Sequence, residues 1–186
     1  MKTILINAAT FQIGWLCCVL AGANQVPWLG TATALLIVIW HVLGANDGRK
    51  ELSLILVAVC IGAAWDSLLV YAGWLQYPSG TLISGAAPHW IVAMWALFAT
   101  TLNVSLRWLK YRPLLGAAMG AIAGPAAYYA GYRLGGVQFP DTDTAMLVLA
   151  AGWAVLLPLL MSLSNRFDGR AVQPSHPGPA GCSARV

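Results

Sequence analysis

Charge is what this sequence has least of. Asp, Glu, Lys and Arg make up 9% of its 186 residues, while hydrophobic residues make up 59%. A water-soluble domain carries about 25% charge, because its core needs a solvated coat; this chain cannot supply one. Metal-binding patterns are missing as well. The four cysteines are Cys17, Cys18, Cys60 and Cys182, and no CxxC or Cys/His spacing occurs. The first three fall in apolar runs and read as small buried hydrophobes, so neither a metal site nor a cofactor is expected. The net charge of +4 is dispersed over short loops rather than gathered in a stripe, which argues against nucleic acid as a partner. There is no internal repeat, and no catalytic or nucleotide-binding motif rises above background.

What fills the chain instead is long apolar runs. They lie near Thr3–Gly22, Val26–Gly44, Leu52–Leu75, Pro88–Trp108, Pro113–Tyr132 and Thr144–Leu163. Each is long enough to cross a hydrocarbon core of about 30 Å at about 1.5 Å per residue. The fold expected is therefore all-α: a polytopic transmembrane bundle of six helices, with short loops that set neighbours antiparallel. Of the ten Lys and Arg residues, all but Arg133 fall at the N-terminus, in the second and fourth loops, or in the tail. The positive-inside rule then puts both termini in the cytoplasm. Nine Trp and six Tyr, most of them near helix ends, fit interfacial belts. Ala21-Gly22-Ala23 has the form of a signal-peptidase site, but Asn7 and Gln12 suit a packed helix better, and the first segment is read as retained. Residues 1–163 are thus expected to form the membrane domain. Residues 164–186, with Pro174, Pro177, Gly178, Pro179 and Gly181, are expected to form a disordered cytoplasmic tail.

Few residues carry chemistry. Asp66 stands about fourteen residues into the third segment, where a carboxylate costs a few kcal/mol or more. It reads either as a proton-handling or substrate-orienting group, or as a structural hydrogen-bond acceptor. In the fourth segment, His89, Ala93, Ala96, Thr100, Asn103 and Arg107 recur at helical spacing, as a cavity lining or a polar seam. Depth sorts the candidates into an outer layer of Asp66, His89, Tyr128, Tyr132 and Arg133, and an inner layer of Asn7, His41, Asn103 and Arg107. Gly116, Gly120 and Gly124 form a small-residue stripe suited to close helix packing, and Pro125 is expected to kink that helix.

The stretches LINAATFQIGWLCCVLAGA, VPWLG, PHWIVAMWALFATTLNVSLRWLK and GAIAGPAAYYAGYRLGG resemble a family of small bacterial inner-membrane proteins known only as a domain of unknown function. The similarity runs from Met1 to about Leu163 and omits the tail. It implies a multi-pass protein of the bacterial inner membrane, with a genomic association to modified-fatty-acid synthesis but no activity to carry over. Family members commonly have a histidine near the position of Val104, and this chain departs there. Three functions follow as expectations: binding or helping process a lipid or hydrophobic small molecule, a small transporter using Asp66, or an accessory scaffold. The partners expected are membrane lipids, with a membrane-protein partner or a second copy of the chain.

Overall fold

The computed structural model describes residues 1–171. Six α-helices follow one another: α1 (Lys2–Ala23), α2 (Pro27–Leu43), α3 (Gly48–Tyr71), α4 (His89–Leu102), α5 (Pro113–Arg133) and α6 (Thr142–Arg166). A single 3-10 turn at Arg107–Leu109 separates α4 from α5, and no strand occurs among the described residues. Helices α1, α3 and α6 are each long and apolar enough to cross a membrane, whereas α2 and α4 are shorter apolar helices of 17 and 14 residues. The outer face is as oily as the core. Leu36, Ile122, Leu147 and Val155 are each about two-thirds exposed or more, a surface that hydrocarbon accepts and water does not.

Local chemistry explains most of the helix limits. Pro27 and Pro113 open α2 and α5 at the position where a missing N–H costs nothing. Asp47 and Asp141 cap α3 and α6 by accepting backbone N–H groups of Lys50 and Asp143. Helix α3 stops at Tyr71 because Gly73 takes a positive φ of 75°, and the N–H groups of Gly73 and Trp74 then bond back to Val70 and Leu69. This is the Schellman geometry that favours glycine.

Helix α4 differs from the segment read in the sequence. It ends at Leu102 rather than near Trp108 and spans only about 21 Å at about 1.5 Å per residue. The hydroxyls of Thr100 and Thr101 turn back onto the carbonyls of Leu97 and Phe98, and the Ser105 N–H goes to the Asn7 side chain instead of a helical carbonyl. The polar stripe is therefore helical only as far as Thr100; Asn103 and Arg107 sit in the turns that follow.

The helices run up and down, so each end of the bundle is a set of loops. One end gathers the start of α1, the ends of α2, α4 and α6, and the starts of α3 and α5. Every Lys and Arg of the described residues except Arg133 lies there. At the other end, the long connection between α3 and α4 is tied to the α5–α6 loop by reciprocal Gln76 and Gln138 backbone hydrogen bonds of 3.0 and 2.8 Å. Within the stretch expected as a tail from residue 164, α6 continues to Arg166, Ser164 is fully buried, and residues 167–171 lie back against the bundle. Residues 172–186, with Cys182, are outside the described residues.

Candidate functional site

Helix α5 packs chiefly on α6, and the packing is close because α5 offers almost no side chain there. A side-chain carbon at Gly120 would strike the Trp153 carbonyl, one at Gly124 would overlap the Trp153 indole, and Gly116 faces Pro158. The stripe of Gly116, Gly120 and Gly124 thus lies against α6. The α5–α6 pair leaves a partly enclosed cleft of about 310 Å³ toward α1 and α4. Phe11 and Trp15 of α1, with Trp90, Trp95 and Phe98 of α4, wall one side. Ala123, Gly124, Ala127 and Gly131 give the α5 side a smooth surface. Trp153 stacks on Trp95 at 5.1 Å with planes 8° apart, closing the back.

One buried polar group stands behind this apolar wall. Asp66 is fully buried in α3 and accepts three neutral donors. Trp95 Nε1 donates to Oδ2 at 2.6 Å, Tyr77 to Oδ1 at 2.8 Å, and Tyr128 to Oδ1 and Oδ2 at 2.8 and 3.0 Å. Asp66 makes no ion pair among the described residues. Trp95, Tyr77 and Tyr128 all line the cleft, so the carboxylate orients its polar side chains without reaching it. Gly62, one turn before Asp66, makes room for this: any side chain there would overlap the Trp95 indole. The Gln76–Gln138 pairing holds the loop that carries Tyr77.

The outer layer read from the sequence therefore divides. Asp66 and Tyr128 meet; His89, Tyr132 and Arg133 do not join them. His89 lies six residues before Trp95, about 9 Å along α4 and on another face. Its Nδ1 sits 2.7 Å from the Thr31 hydroxyl, and its ring stacks on Trp28 at 3.9 Å. Tyr132 is one turn beyond Tyr128, is partly exposed, and lies against Phe139. Arg133 points about 140° around α5 from Tyr128; it is exposed and makes no ion pair with Asp141 or Asp143.

The inner residues come closer together. His41 Nε2 lies 2.8 Å from Glu51 Oε2, and Asn103 Nδ2 donates to Glu51 Oε1 at 2.7 Å and to the Phe167 carbonyl at 3.0 Å. Arg107 grips Asp168 through two hydrogen bonds of 3.2 and 2.7 Å. Asn7 stands beside this group, donating to the Thr100 carbonyl and accepting from the Ser105 hydroxyl at 2.8 Å. Partial burial alone would raise the Asp168 carboxyl. The hydrogen bond and charge of Lys110, the charge of Arg107 and the Arg170 N–H outweigh it and hold the group below the usual carboxylate range.

Sequence reasoning missed Tyr77 and Trp95 at one end, and Glu51, Lys110, Asp168 and Arg170 at the other. Tyr77 and the charged residues sit where a plain reading suffices, an aromatic near a helix end or a charge beside one, and Trp95, in the middle of α4, reads as a core aromatic. A signal was available only for Asp168, an acid flanked by Arg166 and Arg170.

No curated protein and no solved structure matches the chain. A family profile does match, over residues 4–159, and its description is that of a protein of unknown function. With most of its length matched, the chain belongs to that family, DUF2878, in agreement with the resemblance read from its motifs.

Proposed function

We propose that this is a multi-pass protein of the bacterial inner membrane, with cytoplasmic ends, that holds one lipid chain or similar hydrophobic molecule in the cleft between α1, α4 and α5. The observation that carries the reading is the cleft itself: about 310 Å³, ring-walled on one side and smooth on the other. Ligand sites of about 300–1,000 Å³ with mostly apolar walls and a few fixed polar groups are the usual form of small-molecule sites. An apolar space of this size inside a bilayer favours occupancy, because wall atoms without neighbours forfeit dispersion energy. Tyr77 and Tyr128, oriented by Asp66, supply the polar groups against which the ligand's polar end would settle. The bias of Lys and Arg toward one end supports the cytoplasmic placement of the termini.

The other two functional readings receive less support. Transport through Asp66 needs a wet path to the carboxylate, and Asp66 is sealed behind three donors in an apolar wall. A scaffold needs only a solid core, which the cleft interrupts.

Native mass spectrometry of protein purified in lipid nanodiscs tests the proposal. The parent should keep a bound lipid after washing, and Ala123→Phe, which fills the cleft from α5, should lose it without melting lower. A parent that emerges bare, or a variant that keeps the same lipid, would overturn the reading.

A further inference from the structure

The tyrosine hydroxyls that line the cleft have no hydrogen left for a ligand. Tyr77 and Tyr128 each carry one, and both donate it to Asp66 Oδ1 at 2.8 Å. Tyr128 also reaches Oδ2 at 3.0 Å, where Trp95 places its only N–H at 2.6 Å. Trp90, on the same α4 wall, gives its N–H to the Ser79 carbonyl at 3.0 Å. A phenolic oxygen whose hydrogen is committed still has lone pairs, so the tyrosines can offer a ligand only an acceptor. Trp153 offers the reverse. It packs against the same apolar cluster as Tyr128, and its buried N–H has no partner among the described residues. No Asp, Glu, Lys, Arg or His of the described residues lines the cleft.

We propose that the cleft takes a single-chain alcohol, whose hydroxyl donates to a tyrosine oxygen and accepts from Trp153 Nε1, and that it turns anionic headgroups away. The proposal rests on the reading of the cleft as a site for one hydrophobic chain, and it specifies the polar end of that molecule. Other end groups fail on separate counts. A carboxylate or phosphate brings lone pairs toward the tyrosine oxygens, and the wall holds no cation to offset its buried charge. An ether, ketone or ester can accept from Trp153 but meets the tyrosines lone pair to lone pair. An ammonium donates but leaves Trp153 without an acceptor, and the three donors around Asp66 keep it from the carboxylate. A hydroxyl donates, accepts and stays neutral.

Asp66 acts here as a positioning residue. By taking both phenolic hydrogens it turns the tyrosine lone pairs, and not their hydrogens, toward a ligand. Asp66→Asn reverses that polarity. Its amide oxygen serves Trp95, its NH2 stands where Oδ1 stood and donates to the tyrosine oxygens, and the phenolic hydrogens are then free to point into the cleft.

Competition read by native mass spectrometry tests this on the full chain in nanodiscs. The probes share one chain length and are present at equal mole fraction in the bilayer: dodecanol, dodecyl methyl ether, dodecanesulfonate and dodecylammonium. In the parent, dodecanol should be preferred to the ether roughly fivefold, the worth of one net hydrogen bond, and to both ions by more. In Asp66→Asn the preference for alcohol over ether should disappear, since either can accept a phenolic hydrogen; a purely structural role for Asp66 would weaken all four probes alike. A parent that takes alcohol and ether equally, or prefers either ion, overturns the alcohol assignment and leaves a chain-binding cleft in place. That comparison needs no variant to fold. An Asp66→Asn preference equal to the parent's overturns the polarity argument. If no probe binds, or if Ala123→Phe binds them all as the parent does, the cleft reading falls and this proposal falls with it.

Discussion

Three donors reach Asp66 from three separate stretches of chain: Tyr77 from a loop, Trp95 from α4 and Tyr128 from α5. Removing the acceptor would leave all three without a partner in a dry interior, at about 1–3 kcal/mol for each orphaned group. Hydrogen bonds within bilayers average nearer ~0.6 kcal/mol, because the unfolded chain also finds partners there. Asp66→Leu should therefore cost roughly 2–4 kcal/mol in detergent unfolding. Asp66→Asn is a different case. Its amide oxygen can serve Trp95, which only donates, while its NH2 can donate to tyrosine hydroxyls that also accept. It should stay within about 1 kcal/mol of the parent. An Asn variant as unstable as the Leu variant would mean that the carboxylate must be ionised, and a stable Leu variant would mean that the three donors have other partners.

At the scale of elements, α5 shows how glycine replaces apolar bulk as the source of adhesion. Lipid is as oily as leucine, so helices in a bilayer gain little from burying large side chains and more from close backbone approach. Gly120 lets α5 come against the Trp153 main chain. Gly120→Leu forces the two helices apart and should lower the melting temperature in detergent markedly, a loss of roughly 1–3 kcal/mol from overpacking. Ala123→Phe, on the cleft side of the same helix, is the matched control and should melt like the parent. Should both variants melt like the parent, α5 does not depend on α6 for its place. Helix ends were legible to different degrees for a related reason. The close of α3 at Tyr71 follows from a local glycine, Gly73, which the segment read as Leu52–Leu75 runs past. The early close of α4 follows from Asn7 and Glu51, which engage Ser105 and Asn103 from other helices.

The molecule as a whole has two unlike ends joined by an apolar body. One end is basic and networked, with Arg107, Lys110 and Arg170 meeting Asp168, Glu51 and His41. The other is aromatic, with Trp28 on His89 and Tyr132 on Phe139, and holds Arg133, Asp141 and Asp143 without an ion pair among them. Such asymmetry is what orients a polytopic protein during insertion. Alkaline phosphatase fused after Tyr77 should be active and green fluorescent protein fused after Ala171 should fluoresce, since the two positions lie at opposite ends of the bundle. The reverse pattern would refute the cytoplasmic placement of the termini.

Composition along the chain was enough to determine the membrane class, the order of six helices and the end at which the basic residues gather. Those properties are set within about twenty residues at a time, by apolar run length, by caps such as Asp47 and by breakers such as Gly73. Asp66 was legible as a buried acid for the same reason, since depth is a local property. Its partners were not. The groups that bind Asp66 and Glu51 lie between 10 and 118 positions away in the chain. Which of them arrive depends on how each helix is rotated about its axis and on where loops such as residues 72–88 and 167–171 fold back. Rotation is settled by tertiary contacts, here Trp95 against Gly62 and Trp153 against Gly120 and Gly124. That is why His89 and Arg133, placed by depth beside Asp66, end on other faces, while Arg107 meets an aspartate that only the folded chain brings to it.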